Sequence, residues 1–225
     1  MTEPQSPPAA ARVWHREQTA TEERVNALIH GIGFLLSLGC LAVVVVFAVL
    51  RGTVWHVVSC SIYGATLALL YASSAVYHGL RHPFAKRVLN VVDHSSIYLL
   101  VAGTCTPFAL GPLRQHGGWV LFGIIWGVAL LGVTYQILFI HRYRVLSVIS
   151  YLAAGWVIVF AIKPLVRTLP GPGIAWLAAG GLCYTGGVLF YAVKRPFFHA
   201  VWHLFVLAGS LCHFFSVLFY VIPPR

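Results

Sequence analysis

The last apolar run of the chain opens with Phe198-His199-Ala200-Val201-Trp202-His203 and continues to Ile222 without a charged residue. A run of about 20 apolar residues can cross the hydrocarbon core of a bilayer as a helix. On a helix, His199 and His203 lie on one face a single turn apart, which allows both imidazoles to bind one metal ion. A lone pair of this kind can equally bond headgroups and water at a membrane interface, so further polar partners decide between the two interpretations.

The composition is typical of a polytopic membrane protein. Of the 225 residues, 59% are hydrophobic and 9% are charged, which excludes an ordinary soluble domain. The net charge of +10 lies mostly in the loops, where it indicates orientation and contact with anionic lipid. Membrane lipids are therefore the expected partners, no nucleic acid is expected, and a homo-oligomer is left open. The five cysteines form no CxxC motif and are predicted to be small packing residues.

Seven apolar runs divide the chain, each near the ~20 residues that a spanning helix needs. Short breaks with Arg, Gly and Pro separate them, so neighbouring helices are expected to be antiparallel. The predicted fold class is an all-α seven-transmembrane-helix bundle, with a flexible tail at 1–20 and one transmembrane domain at 21–225. The predicted spans are 27–50, 53–77, 93–112, 117–140, 145–166, 172–193 and 199–222.

Lysine and arginine are distributed unequally between the two sides of this bundle. The N-terminal segment and the loops after spans two, four and six hold ten of them, and the other side holds five. The positive-inside rule therefore predicts a cytoplasmic N-terminus and a C-terminus outside. With this orientation His78, Asp93, His199 and His203 all reach the cytoplasmic leaflet.

A second polar cluster lies upstream, at the edges of spans two and three. Ser74 precedes His78 by one helical turn, and Asp93 is followed by His94. A lone acid at the end of a membrane helix is usually paired or functional. Asp93 either caps the start of span three or belongs to a metal site, and the nearby histidines favour the metal site.

Polar side chains continue inward along the helix faces. Thr104 continues the Asp93 face of span three, and Ser210 and His213 continue the histidine face of span seven. In the first helix, Thr21 is a predicted N-cap, followed at helical spacing by Glu23, Asn26 and His30. Spacing alone favours an interfacial amphipathic turn for these three residues, the alternative being that they line the site.

Glycines are frequent in the later spans. The pair Gly123 and Gly127 and the group Gly180, Gly181, Gly186 and Gly187 are predicted to allow close contacts between helices rather than to bind a ligand.

Together these motifs resemble the bacterial hemolysin III branch of the progestin and adiponectin receptor family, over residues 22–220. The resemblance implies a Zn²⁺ ion near the cytoplasmic face of the bacterial inner membrane, held by His78, His199 and His203. It also implies that Asp93 holds a water on the zinc, with Ser74 close by. The motifs that carry it are Glu23-x2-Asn26-x3-His30, Ser74-x3-His78, Asp93-His94, Gly103-Thr104-x-Thr106-Pro107, His199-x3-His203 and Gly209-Ser210-x2-His213-Phe214.

The wider group includes alkaline ceramidases, so the resemblance implies a lipid-directed hydrolase of amides or esters, or a regulator of membrane lipid homeostasis built on that chemistry. Asp93 would act as general base, and Ser74 would form a hydrogen bond with the oxyanion or hold the water in place. The remaining site-lining residues would be Glu23, Asn26, His30, His94, Thr104, Ser210 and His213. Three alternatives remain: a structural zinc, a pore-forming or cytolytic protein, and a ligand receptor.

Overall fold

The structure is a computed structural model and describes residues 18–139 and 144–223. Within these residues seven helices are long and apolar enough to cross a membrane, which confirms the predicted all-α bundle. They are α1 (Ala20–Arg51), α2 (Val54–Gly79), α3 (Pro83–Leu110), α4 (Arg114–Phe139), α5 (Val145–Thr168), α6 (Gly171–Ala192) and α7 (Phe198–Val221). Three spans contain a segment of different helical pitch: a π-helical turn opens α4 (Arg114–Gly118), a 3₁₀ segment interrupts α5 (Trp156–Ala161), and a π-helical turn closes α7 (Val217–Val221).

Most of the predicted N-terminal tail lies outside the described residues. The same holds for Arg12, Arg16, Arg142 and Arg225, four members of the charge count. The cytoplasmic N-terminus therefore stays a prediction. We call one end of the bundle the histidine end: α1, α3, α5 and α7 begin there, and α2, α4 and α6 terminate there.

The first helix starts earlier than its apolar run. Thr19 is the N-cap, because its hydroxyl accepts the Glu22 N–H at 3.3 Å and the Glu22 carboxylate accepts the Thr19 N–H at 2.9 Å. This reciprocal arrangement satisfies two backbone donors that a helix start leaves unpaired. The prediction of Thr21 as N-cap is therefore wrong, and Thr21 lies inside the first turn.

The third helix also starts earlier than predicted, at Pro83 instead of at Asp93. Proline suits the first turn because its fixed φ is already helical and its missing N–H would be unpaired there. The His82 ring caps this start by accepting the Ala85 N–H. Asp93 consequently lies well inside α3, and the interpretation of Asp93 as a helix cap is wrong.

Helices α2, α3 and α7 form the centre of the bundle. In the most apolar 18-residue stretch of each helix, the buried share of residues is 56% in α2 and 44% in both α3 and α7. The corresponding share is 17% in both α5 and α6. The outer faces carry large exposed apolar side chains such as Leu131 and Phe160, as expected for surfaces that contact lipid. The predicted site residues of α2, α3 and α7 are thus on the three most enclosed helices.

Close helix contacts occur at only some of the predicted glycines. A β-carbon on Gly180 would lie 2.5 Å from the His213 ring, and one on Gly187 would lie 2.7 Å from Phe205. The prediction for the Gly123 and Gly127 pair is wrong, because a β-carbon on either would meet nothing within 4 Å. These two glycines face away from the neighbouring helices.

Candidate metal centre

Three imidazoles converge at the histidine end of the bundle. His78 lies in the last turn of α2, while His199 and His203 occupy the first two turns of α7. One ring nitrogen from each lies within 4.8 Å of the other two, and His78 Nε2 is 3.2 Å from His203 Nε2. In a tetrahedral zinc site with Zn–N bonds of about 2.0–2.1 Å, two ligand nitrogens lie about 3.3 Å apart. The His78–His203 pair already has that spacing, and the three imidazoles could together hold a metal ion.

The Glu23 carboxylate orients the His78 ring. His78 Nδ1 donates to Glu23 Oε2 at 2.7 Å, and Lys86 Nζ lies 2.8 Å from Glu23 Oε1. Because this bond holds the proton on Nδ1, the lone pair of His78 Nε2 points toward His203. Metal-ligating histidines typically donate their second ring N–H to a carboxylate in this way. The local hydrogen bonding therefore agrees with the spacing of the nitrogens.

A fourth imidazole packs against this cluster from α1. The ring centroids of His30 and His203 are 3.7 Å apart, and Tyr71 packs edge-on against His30 at 5.1 Å. Neither His30 nitrogen has a hydrogen-bond partner among the described residues, and the same is true of His203 Nδ1. Asn26, one turn earlier, is fully buried. These positions contradict the interfacial-turn interpretation, because Asn26 and His30 are buried inside the bundle.

An inner cavity of about 210 Å³ extends from the imidazoles into the bundle. Its walls are mostly apolar and come chiefly from α3, α5, α6 and α7. On α6 the lining residues run from Ile174 to Tyr191, 17 positions apart, which corresponds to about 25 Å along the helix. The lining of the cavity therefore extends along most of the ~30 Å hydrocarbon core of a bilayer.

Unpartnered polar atoms face this inner cavity. The buried hydroxyls of Ser74 and Thr104 and the buried His213 Nδ1 all line it, and none has a hydrogen-bond partner among the described residues. Ser210 is placed differently. Its hydroxyl accepts the Tyr71 O–H at 2.8 Å and lies 3.0 Å from the Tyr184 hydroxyl, so it joins α2, α6 and α7 instead of lining the cavity.

A second, wider cavity opens at the histidine end, and we call it the vestibule. Its volume is about 830 Å³, and polar and charged side chains make up much of its walls. The vestibule and the inner cavity have four lining residues in common: Asp93, His94, Tyr191 and His199. The imidazole cluster thus lies at the junction between an apolar cavity and a polar one.

Asp93 lines both cavities and is buried, with 8% of its surface exposed. Its Oδ2 is 3.6 Å from His94 Nδ1, which also donates to the Asn90 carbonyl at 2.9 Å. Among the described residues, the metal-compatible cluster contains the three imidazoles and no carboxylate. This arrangement leaves the Asp93 carboxylate available to accept a proton at the junction.

Three residues contribute to the site that the sequence did not single out. Glu22 Oε1 accepts the Phe197 N–H at 2.8 Å and so ties the start of α1 to the residue that precedes α7. Lys86 pairs with Glu23, and the Tyr191 ring packs 5.7 Å from that of His199. The Thr19-x-x-Glu22 spacing is a capping-box signal that could have identified Glu22. Nothing in the local sequence marks Lys86 or Tyr191.

The chain is similar to several curated proteins. A family model described as "Haemolysin-III related" matches residues 18–214, which include the whole imidazole cluster. The Hemolysin-3 homolog of Bacillus subtilis (strain 168) is 46% identical over 190 residues, 84% of this chain and 89% of that protein. Hemolysin-3 of Bacillus cereus is 45% identical over 207 residues, 92% and 94% of the two chains. The monocyte to macrophage differentiation factor of Homo sapiens is 33% identical over 165 residues, 68% and 66% of the two chains.

Proposed function

Because the chain belongs to the haemolysin-III-related family and is a multi-pass membrane protein, we propose that it is a zinc-dependent hydrolase of lipid amides or esters. The observation that carries the proposal is the position of the three imidazoles. They lie where an apolar cavity meets a polar vestibule, with a buried carboxylate that lines both. The proposal includes a location in the bacterial inner membrane with the histidine end in the cytoplasm, where such activity would adjust membrane lipid composition.

Each group at the junction has a defined part in this reaction. A zinc ion held by His78, His199 and His203 would keep one coordination position open and would supply Lewis-acid polarisation of a substrate carbonyl. The apolar walls of the inner cavity hold the acyl chain and exclude bulk water. Ser74 Oγ–H, which has no other partner among the described residues, donates to the carbonyl oxygen as negative charge develops there.

Proton transfer is assigned to Asp93. Its carboxylate accepts a proton from the water that attacks the carbonyl carbon, and the carbon–oxygen or carbon–nitrogen bond then breaks. The proton passes from Asp93 to the leaving alcohol or amine. Water is consumed, and the products are one fatty acid and one alcohol or amine.

The test is to measure zinc content and fatty-acid release on one preparation of the purified protein, with a panel of ester and amide lipids. Asp93→Asn keeps the size and hydrogen bonding of the side chain but cannot accept a proton, so zinc should stay bound while release falls by about 10²–10⁴-fold. The double variant His199→Ala, His203→Ala should lose the zinc. Full zinc with near-normal release in Asp93→Asn would exclude Asp93 as the base, and stoichiometric zinc in the double variant would exclude the three-histidine site.

A second candidate function comes from the name of the Bacillus cereus relative, Hemolysin-3. In that case the chain would lyse cells by inserting into their membranes. Lysis by insertion needs no proton acceptor at Asp93, so erythrocyte lysis that is equal for the parent and Asp93→Asn would favour this candidate over the hydrolase.

A further inference from the structure

The vestibule carries an excess of positive charge. Five basic side chains and two carboxylates line it, the latter being Glu23 and Asp93. Lys86 is paired with Glu23, and Lys194 Nζ donates to the Tyr191 carbonyl at 2.9 Å. The basic residues are Arg24, Arg81, Lys86, Lys194 and Arg195.

Three of these cations are exposed arginines from separate segments. Arg24 belongs to α1, Arg81 to the connection between α2 and α3, and Arg195 to the connection between α6 and α7. A guanidinium group matches the geometry of a phosphate, with which it can form two parallel hydrogen bonds. Arg87 is also exposed at the histidine end but is not among the residues that line the vestibule. Arg87 is therefore a cation at the same end of the bundle that lies outside the vestibule.

The vestibule and the inner cavity adjoin at the lining residues that they share, so a molecule that passes between those side chains occupies both. Such a molecule needs a negatively charged group among the arginines and an apolar chain between α3, α5, α6 and α7. The bond that joins its two parts would lie beside His199 and Asp93, which line both cavities. In a glycerophospholipid the acyl ester lies only a few bonds from the phosphate, which matches this order of groups.

We propose that the vestibule binds the phosphate headgroup of an anionic phospholipid whose acyl chain enters the inner cavity. The identification of this lipid as the substrate rests on the proposed hydrolase function, but its binding does not. Binding is measured with the purified full-length protein in uncharged detergent, by native mass spectrometry. The probes are phosphatidic acid and diacylglycerol with identical acyl chains, and inorganic phosphate.

Phosphatidic acid should bind at least about tenfold more tightly than diacylglycerol, because diacylglycerol has no phosphate to form charge-assisted hydrogen bonds with the arginines. The triple variant Arg24→Gln, Arg81→Gln, Arg195→Gln should remove this preference, and added salt should weaken it. Arg87→Gln is the matched control and should bind like the parent. If the triple variant fails to fold, as judged by its melting temperature, Arg195→Gln alone should still reduce the preference about threefold.

Equal binding of the two lipids, or an equal loss in Arg87→Gln, would overturn the proposal. Inorganic phosphate that competes with phosphatidic acid at the same affinity would also overturn it, because the site would then serve a soluble anion.

Asp93→Asn separates this inference from the proposed function. It should bind phosphatidic acid at least as tightly as the parent, since it removes a carboxylate from the vestibule. If the parent binds phosphatidic acid selectively but hydrolyses no lipid, the headgroup site is supported and the proposed hydrolase function is wrong. If the parent hydrolyses charged and neutral lipids at equal rates, the hydrolase function is supported and the headgroup site is wrong.

Discussion

Replacement of Glu23 should weaken zinc binding although Glu23 is not a ligand. Its carboxylate accepts the His78 Nδ1–H at 2.7 Å and holds the ring so that Nε2 faces His203. Loss of such a partner typically lowers metal affinity 10–100-fold, which is about 1.4–2.7 kcal/mol. Glu23→Gln keeps an acceptor oxygen but no charge, so we expect about a tenfold loss. Glu23→Ala removes both and should reach about a hundredfold.

Competition between the purified protein and a chromophoric zinc chelator measures this affinity directly. Glu22→Gln is the matched control, because the neighbouring carboxylate binds the Phe197 N–H and not an imidazole. This control should lower the melting temperature while zinc affinity stays within about threefold of the parent. An affinity of Glu23→Ala within about twofold of the parent would refute the role of Glu23. An equal loss in Glu22→Gln would show that general loosening of the bundle causes the effect.

Three further predictions concern topology and packing. A reporter fused to the C-terminus should be active outside the cytoplasm, because the side that holds the N-terminus carries more Lys and Arg; activity inside would reverse the orientation. Gly180→Ala should lower the free energy of unfolding in detergent by about 1–3 kcal/mol, because its β-carbon would lie 2.5 Å from the His213 ring. The control Gly123→Ala should cause no loss, because a β-carbon there meets nothing within 4 Å. Ser210→Ala should lower stability by about 1 kcal/mol, because Tyr71 O–H loses a buried acceptor, with the zinc content unchanged; a drop in zinc would instead link Ser210 to the metal site.

Hydropathy was sufficient to predict seven spans, because an apolar run long enough to cross a bilayer has few other structures open to it. It failed at the start of α3, since Lys86, Arg87 and Asn90 lie in that part of the helix and interrupt the apolar signal. Pro83 was the better indicator there, because proline favours the first turn of a helix.

The rotation of each helix could not be predicted. Glu22 and Glu23 are neighbours in sequence, but successive helical residues point about 100° apart, so one reaches Phe197 and the other His78. Gly123 and Gly180 both lie in glycine-containing apolar runs, yet Gly123 faces away from the bundle and Gly180 contacts the His213 ring. Only the packing of all seven helices decides which partner each side chain meets.

The separation of His78 and His203 along the chain has a consequence for biosynthesis. Their nitrogens are 3.2 Å apart, but the two residues are 125 positions apart in sequence. At about 5–20 residues per second, a ribosome needs roughly 6–25 seconds to make that length. During this interval the first helical hairpin has already emerged, and Glu23 can hold His78 before its partners on α7 exist. A nascent chain that stops before the seventh span therefore has one oriented imidazole and no means of completing the cluster.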